Sequence, residues 1–203
     1  MHDAFLRAAP RSSGRAQALY LQVLDGFRLA CPDGPAIPLP STGERVLAFL
    51  ALHEHPVRRC MVAGSLWPDT SETRSSGSLR SALWRVGSMA GPAVEAQGAL
   101  LRLAPTVKVD LHELVGAAHD LRDGRPPPGA ASLITRFEEE LLPDWYDDWI
   151  VLHRERWRQI RLHALESLAE FLRRAGDCST AAEAGLAAVR ADPLRETAHG
   201  VLI

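Results

Sequence analysis

Residues 73–90, TRSSGSLRSALWRVGSMA, most constrain what this chain can fold into. At about 100° per residue, one side of a helix over this stretch is apolar, which predicts a helix packed against a core. That side carries Leu79, Ala82, Leu83, Val86 and Ala90. The other side has no carboxylate and carries Arg74, Gly77, Ser81, Trp84, Arg85 and Ser88, with Ser78 and Arg80 at its margins.

Short hydroxyls, arginines and a glycine form a surface that can approach a phosphate backbone closely and hydrogen-bond to base edges. These are the properties of a DNA recognition helix. A solvated helix face that is merely basic is the competing interpretation, because three arginines are common on any protein surface. The flanking sequence has to decide between the two.

The segment before this helix changes its period from strand to helix. LYLQVLDGFRLACPDGPAIPLP predicts a small antiparallel sheet with tight turns at Asp25-Gly26 and Asp33-Gly34. A first helix is predicted from Thr42 to the break at His55-Pro56. A second short helix over residues 58–66 should pack Met61, Val62 and Leu66.

The ends of the central helix are also predicted from local residues. Thr70 and Ser71, or Thr73, can cap its first amides, and Gly91-Pro92 should end it. VEAQGALLRLAP then predicts a hairpin around Gln97-Gly98-Ala99. The order of strands, three helices and hairpin is typical of a winged helix, whose third helix enters the major groove, although other small α+β domains share this order.

The residues themselves resemble a known family. Residues 46–86 are similar to the DNA-binding domain of the Streptomyces antibiotic regulatory proteins, through a leucine-rich first helix and four short motifs. These motifs are Leu66-Trp67-Pro68-Asp69, Arg74, Leu79-Arg80 and Ala82-Leu83. The chain departs from the family at Arg85-Val86-Gly87, where the family often has Arg-Leu-Arg.

A second match follows Val109-Asp110-Leu111, which resembles the family's hinge. Residues 141–172, LLPDWYDDWIVLHRERWRQIRLHALESLAEFL, are similar to the hallmark stretch of its bacterial transcriptional activator domain. RDGRPPPGAAS predicts a break between a helix over residues 111–121 and a long helix after Trp149. Residues 162–203 fit the 34-residue tetratricopeptide pattern, with Gly176-Asp177 as the turn between helices.

We therefore predict a mainly α chain with a small β component, in three parts. Residues 1–18 form a disordered arm, residues 19–109 a winged helix-turn-helix DNA-binding domain, and residues 110–203 an all-α tetratricopeptide-like activator domain with a truncated repeat array. Because a helix over residues 194–203 would be short, we expect it to gain order only by docking through Leu194, Ala198 and Leu202.

Composition limits the function classes. Residues 1–110 carry 12 basic and 9 acidic side chains and the remainder 11 and 16, so the first part is better suited to nucleic acid. The absence of an apolar run of membrane length and of a signal peptide predicts a cytoplasmic protein without membrane contact. Cys31, Cys60 and Cys178 lie far apart, which predicts reduced, mostly buried thiols.

No catalytic or cofactor motif is found. The single lysine, Lys108, follows Val107, so GxxxxGK[ST] is excluded. His53 and His55 lack metal-ligand spacing. Asp144, Asp147 and Asp148 should cap helix amides beside packed tryptophans rather than form a catalytic pair. The chain is predicted not to be an enzyme and to have no cofactor or metal.

The resemblance implies a transcriptional activator that binds direct repeats in promoters, recruits RNA polymerase and switches on a secondary-metabolite gene cluster. The expected partners are double-stranded DNA, RNA polymerase and a second copy of the chain on DNA. The predicted DNA-binding residues are Arg74, Ser78, Arg80, Ser81, Trp84, Arg85, Gln97 and Arg102.

Two alternatives stay open from the sequence. Trp84 is expected either to lie over the sugar-phosphate backbone or, as the favoured reading, to be covered by the wing or the second domain, since exposed tryptophan is uncommon. The rival function is a protein-interaction module whose winged helix has lost operator binding and whose helical repeats hold a peptide or a second protein.

Overall fold

The computed structural model describes residues 18–32, 34–125, 129–193 and 200. The elements in chain order are β1 (Leu19–Gln22), β2 (Arg28–Ala30), α1 (Ser41–Ala51), β3 (Val57–Arg58), α2 (Arg59–Leu66), α3 (Glu72–Ala90), β4 (Val94–Gln97), β5 (Leu100–Leu103), β6 (Val107–Val109), α4 (Asp110–Arg122), a 3-10 turn (Ala130–Ser132), α5 (Leu133–Glu138), α6 (Asp148–Arg174) and α7 (Cys178–Ala191). The predicted fold class is confirmed: two small sheets and three helices precede an all-helical part.

The first sheet has the order β2-β1-β6. Its antiparallel pair was predicted, and the connecting turn uses Asp25 at φ 55° and Gly26 at φ 126°. The third strand was not predicted: β6 pairs in parallel with β1, with Lys108 opposite Tyr20. A three-residue strand with a lysine at its centre gives little local signal. The predicted turn at Asp33-Gly34 falls on a residue, Asp33, outside the described ranges.

The second sheet has the order β3-β5-β4 and contains the wing. β4 and β5 form the predicted hairpin, and Gly98 at φ 60° occupies the left-handed region that favours glycine at its turn. β3 lies between α1 and α2 and pairs its Val57 with Leu101 of β5. With only two residues, β3 was too short to detect from the sequence.

The three helices before the wing follow the prediction closely. α1 ends at Ala51, four residues before His55, and α2 stops immediately before Trp67-Pro68. α2 buries Val62, Ala63 and Leu66, but Met61 is 58% exposed, so the expectation that Met61 packs is wrong. Met61 precedes Val62 by one residue and therefore lies about 100° away from the buried face of α2.

α3 begins at Glu72 and ends at Ala90, followed by Gly91 at φ 68°. Ser71 occupies the N-cap position, but its side chain makes no capping hydrogen bond; its carbonyl oxygen accepts from the Ser75 amide at 2.9 Å. Thr70 is directed elsewhere, since its hydroxyl donates to the Trp67 carbonyl oxygen at 3.1 Å. The helix ends were therefore predicted correctly, although side-chain capping was not.

The winged and helical parts share one hydrophobic core. One cluster of buried residues runs from Leu19 in β1 to Ala188 in α7. At the junction, the buried Asp110 carboxylate accepts the backbone amides of Val23, Leu24 and Leu111 at 2.7 to 3.0 Å. Burial raises the pKa of Asp110, while these amides oppose the rise. The division at residues 109/110 stays a prediction, and the core is continuous across it.

α6 and α7 form the helix pair expected around Gly176, which has φ 83°. Ala181 and Ala188 of α7 are buried in the shared core. The Asp177 carboxylate accepts the Thr180 amide at 3.2 Å and so caps α7. The assignment to a tetratricopeptide array stays a prediction, and the expected docking through Leu194, Ala198 and Leu202 lies outside the described residues.

Two other features concern the surface. Cys31 is half-buried, whereas Cys60 and Cys178 are exposed, so the prediction of mostly buried thiols is wrong. Cys60 lies in the first turn of α2 and Cys178 begins α7, positions on the solvent side of short helices. In the part of the chain that the structure describes, no helix combines the length and apolar character needed to span a bilayer.

Candidate nucleic-acid interface

α3 is held against the domain by one narrow face. Ser75, Leu79, Ala82 and Val86 are its buried residues, and all four lie within about 60° on the helical wheel. α1 approaches this face closely, because a Cβ added to Gly43 would lie 3.1 Å from Val86 Cγ2. Leu83 and Ala90 are partly buried beside this face, and the opposite side of α3 is available to solvent or to a partner.

Trp84 lies at the centre of the outward face, about 170° from the middle of the buried stripe. Its side chain is 73% exposed, so the favoured expectation that the wing or the helical domain covers it is wrong. Among the described elements, α1, α2 and β4 contact α3, and they leave Trp84 uncovered. An indole in this position is open to a partner.

Three arginines surround Trp84 on the same helix. Arg74, Arg80 and Arg85 are all exposed. Within the described ranges, the side chains of these three arginines have no ion pair and no hydrogen bond. Arg80 folds back over Gly77, where an added Cβ would lie 3.8 Å from Arg80 Nη2. A shallow depression is lined by Arg80, Ser81, Trp84 and Arg85.

The serines of this face are less free than the arginines. The Ser81 hydroxyl donates to the Gly77 carbonyl oxygen at 3.1 Å, and the Ser88 hydroxyl donates to the Trp84 carbonyl oxygen at 2.9 Å. Because phosphate oxygens only accept, Ser81 would have to give up this bond to contact a phosphate, whereas it can accept from a base amino group as it stands. Ser78 is half-buried at the margin of the face.

Two wing residues were predicted to contact DNA, and only one of them, Arg102, is held in an ion pair. Gln97 is exposed beside Gly98 at the tip. Arg102 is also exposed, but its Nη2 lies 2.6 Å from Glu95 Oε2. An exposed pair of this kind contributes little stability and exchanges readily, so Arg102 can reach a phosphate only by leaving Glu95.

The sequence reasoning missed two arginines next to the wing. Arg58 is exposed in β3, and the Arg59 guanidinium Nε donates to the Gly98 carbonyl oxygen at 3.4 Å. The β3–β5 pairing places both beside the wing, so they extend the cationic surface beyond α3. The adjacent Arg58-Arg59 pair at the start of the predicted second helix was the available signal.

Asp147 and Trp149, at the start of α6, make tertiary contacts. Asp147 pairs with Arg45 instead of capping α6, and Trp149 packs edge-on against Phe49 with ring centroids 5.2 Å apart. The capping role predicted for Asp147 is therefore wrong, whereas the predicted aromatic packing is confirmed. Among the described residues, no three His, Cys, Asp or Glu side chains are grouped to hold a metal ion.

Comparison with known proteins agrees with this architecture. Residues 110–203 match the family model of the bacterial transcriptional activator domain. The fold is similar to that of Mycobacterium tuberculosis EmbR in complex with a low affinity phosphopeptide, with a TM-score of 0.72 and 19% sequence identity over 91% of this chain. The chain spans 53% of that structure's length. No curated protein sequence matches the chain. The matched family is described as a transcriptional activator domain, which agrees with the expectation that the chain is not an enzyme.

Proposed function

We propose that this chain is a sequence-specific DNA-binding transcriptional activator that inserts α3 into the major groove. The observation that carries this proposal is the exposed face of α3, where Arg74, Arg80 and Arg85 have no ionic partner among the described residues and surround a tryptophan that is 73% exposed. Three uncompensated guanidinium groups on one helix suit phosphate and guanine recognition.

The helix places these cations on two flanks. Arg74 and Arg85 lie about 20° apart on the wheel and roughly 16 Å apart along the axis, whereas Arg80 lies on the other side of Trp84. Because the major groove has a phosphate backbone on each side, this arrangement offers contacts to both strands. Arg74 lies in the first turn of α3, the end that contacts bases in helix-turn-helix proteins.

The finer parts of the proposal rest on the family resemblance and on the matched activator domain. In this proposal the chain binds direct repeats in promoters, a second copy occupies the neighbouring repeat, and the helical part engages RNA polymerase. The regulated genes belong to a secondary-metabolite cluster. In the wing, the exposed side chains of Gln97 and Arg102 contact the phosphate backbone beside the groove that α3 occupies.

The test compares DNA affinity of single arginine variants. Fluorescence anisotropy with genomic fragments selected by the parent chain should show that Arg74→Ala and Arg85→Ala each weaken binding by ~1 to 3 kcal/mol. Loss of a guanine contact relaxes sequence preference at one position, while loss of a phosphate contact lowers affinity evenly and reduces the salt slope by about 1.

Arg173→Ala is the matched control, because Arg173 is an equally exposed helical arginine that pairs with Glu170 far along α6. Its affinity for the same fragments should equal that of the parent. Parent-like binding by both Arg74→Ala and Arg85→Ala at moderate salt would show that α3 does not read DNA. Absence of any specific fragment would instead favour the protein-interaction module.

A further inference from the structure

A cleft of about 440 Å³ lies where the winged part meets the helical part. The end of α1 and the three residues that follow it form one wall, and α4 and α6 form the others. Its volume falls within the usual range of small-molecule sites, which occur preferentially at domain interfaces.

Most of the cleft surface is apolar. Its lining includes Leu111, Val115, Leu141, Trp157 and Ile160. Trp157 is only 3% exposed, and its indole nitrogen donates to the Glu139 carbonyl oxygen at 3.0 Å, which fixes the ring in the wall. A rigid apolar wall of this kind suits a ring or chain of hydrocarbon.

Histidines supply directed polar groups. His53 Nδ1 lies 2.7 Å from the Phe49 carbonyl oxygen, and His112 Nε2 lies 2.7 Å from the Ala51 carbonyl oxygen. Because a carbonyl oxygen only accepts, these two ring nitrogens carry hydrogen, which leaves the second nitrogen of each ring for another partner. Burial, together with His53 and Arg156, lowers the pKa of His153 to about 4, so this ring is neutral at physiological pH.

Arg156 gives the cleft its anion-binding group. Its Nη2 lies 2.6 Å from Glu54 Oε1, and the two side chains are 59% and 60% exposed. An ion pair this exposed contributes little to stability, and Arg156 can readily leave Glu54 for another anion. Glu54 is the only carboxylate among the lining residues, and a guanidinium binds a carboxylate through two parallel hydrogen bonds.

We propose that this cleft binds a small, largely apolar carboxylic acid, with its carboxylate on Arg156 and its hydrocarbon body against Val115, Trp157 and Ile160. The free ring nitrogens of His53 and His112 contact any hydroxyl or carbonyl group that the body carries. This site is separate from the DNA-binding face and does not depend on it.

Such a ligand touches both parts of the molecule. It contacts α1, which packs on the recognition helix through Gly43 and Val86, and it contacts α4 and α6 of the helical part. Binding therefore stabilises the arrangement seen here over any arrangement in which the cleft is open, in proportion to ligand concentration over its dissociation constant.

The test uses the full chain and three acids of graded size: phenylacetic, indole-3-acetic and 1-naphthaleneacetic acid. Isothermal titration should give saturable one-to-one binding for at least one of them. The neutral amide of that acid should bind at least tenfold more weakly. Arg156→Gln should remove this difference, whereas Arg173→Gln, which changes an α6 arginine outside the cleft, should preserve it.

Gly116 allows the cleft to be filled without removing a contact. It lies in α4 on the cleft wall, and a Cβ built there meets no atom within 4 Å. Gly116→Leu should weaken the acid at least tenfold, while Gly116→Ala should bind like the parent. If Gly116→Leu loses the parent circular dichroism, the Arg156→Gln comparison decides.

Three results would overturn the proposal. Failure of all three acids to bind saturably would show that the cleft takes no such ligand. Unchanged affinity in a folded Gly116→Leu variant would place the acid elsewhere. Equal affinity of the acid and its amide for the parent would show that Arg156 does not select a carboxylate. Each result is independent of whether the chain binds DNA.

Discussion

Three exposed arginines of α3 and two arginines of α6, Arg154 and Arg158, have the same chemistry but differ in whether they have partners. On α3, Arg74, Arg80 and Arg85 have no partner among the described residues. On α6, Arg154 donates to the carbonyl oxygens of Leu141, Leu142 and Trp145, and Arg158 pairs with Glu155 and Asp192. Arg154 and Arg158 are already used by the fold, whereas the three arginines of α3 are available to a partner.

This difference teaches that partners, rather than residue type, distinguish a structural arginine from a functional one. The guanidinium of Arg154, with its five N–H donors, contacts three backbone carbonyl groups in the segment that leads into α6. Removing Arg154 should therefore change stability, and removing an arginine of α3 should change binding.

The largest expected effect is that of Arg154→Ala on stability. The change removes the guanidinium from three partly buried carbonyl oxygens, of which, among the described residues, only that of Leu142 keeps another donor, the Trp145 amide at 3.1 Å. The free energy of unfolding should therefore fall by ~2 to 4 kcal/mol. For a chain of this size the melting temperature should fall by on the order of 10 °C. Thermal unfolding followed by circular dichroism measures this.

Arg173→Ala is the control for Arg154→Ala, since it removes an exposed pair and should alter the unfolding free energy by less than about 0.5 kcal/mol. Similar destabilisation by the two variants would contradict the comparison, because it would mean that the carbonyl contacts of Arg154 add nothing beyond an exposed ion pair.

A smaller effect on α6 should appear as a pH dependence. The pKa of His153 is lowered from 6.5 to about 4, so the unfolded chain binds more protons at this residue than the folded chain between these values. Stability should therefore fall as pH decreases from about 6.5 to 4, and His153 should account for about 1 to 2 kcal/mol of that loss at pH 5.

The measurement is chemical denaturation of the parent and of His153→Gln at pH 7 and pH 5. The variant should lose less stability between the two values than the parent does. His55→Gln is the control, because His55 is exposed and should leave the parent difference intact. An unchanged pH difference in His153→Gln would show that this ring is protonated equally in both states.

The smallest expected effect concerns Trp84 on α3. Because its side chain is 73% exposed, Trp84→Ala should change the unfolding free energy by less than about 0.5 kcal/mol. DNA affinity should fall by about 1 kcal/mol, since the indole loses the apolar area it buries against the duplex. Trp84→Phe should retain part of the affinity, and anisotropy titrations at fixed salt measure both. Unchanged affinity in Trp84→Ala would restrict the DNA contact to the arginine flanks.

Local pattern sufficed for most of the fold before residue 104. The period of apolar residues placed α1 and α3, the Trp67-Pro68 and Gly91-Pro92 dipeptides ended helices, and Gly98 marked the wing turn. Each of these signals acts within a few residues, through backbone sterics or through the repeat of one helix face. The candidate DNA-binding side chains of α3 could be named for the same reason, because they share one face of one helix.

Tertiary structure decided what lies between distant segments. The pairing of β6 with β1, the Arg154 contacts and the cleft beside Arg156 depend on residues that only folding brings together. Exposure was equally non-local: Trp84, Met61 and the thiols of Cys60 and Cys178 lie outward because none of the described elements covers their side of the helix. A sequence states which side chains are available, whereas the packed chain determines which of them already have a partner.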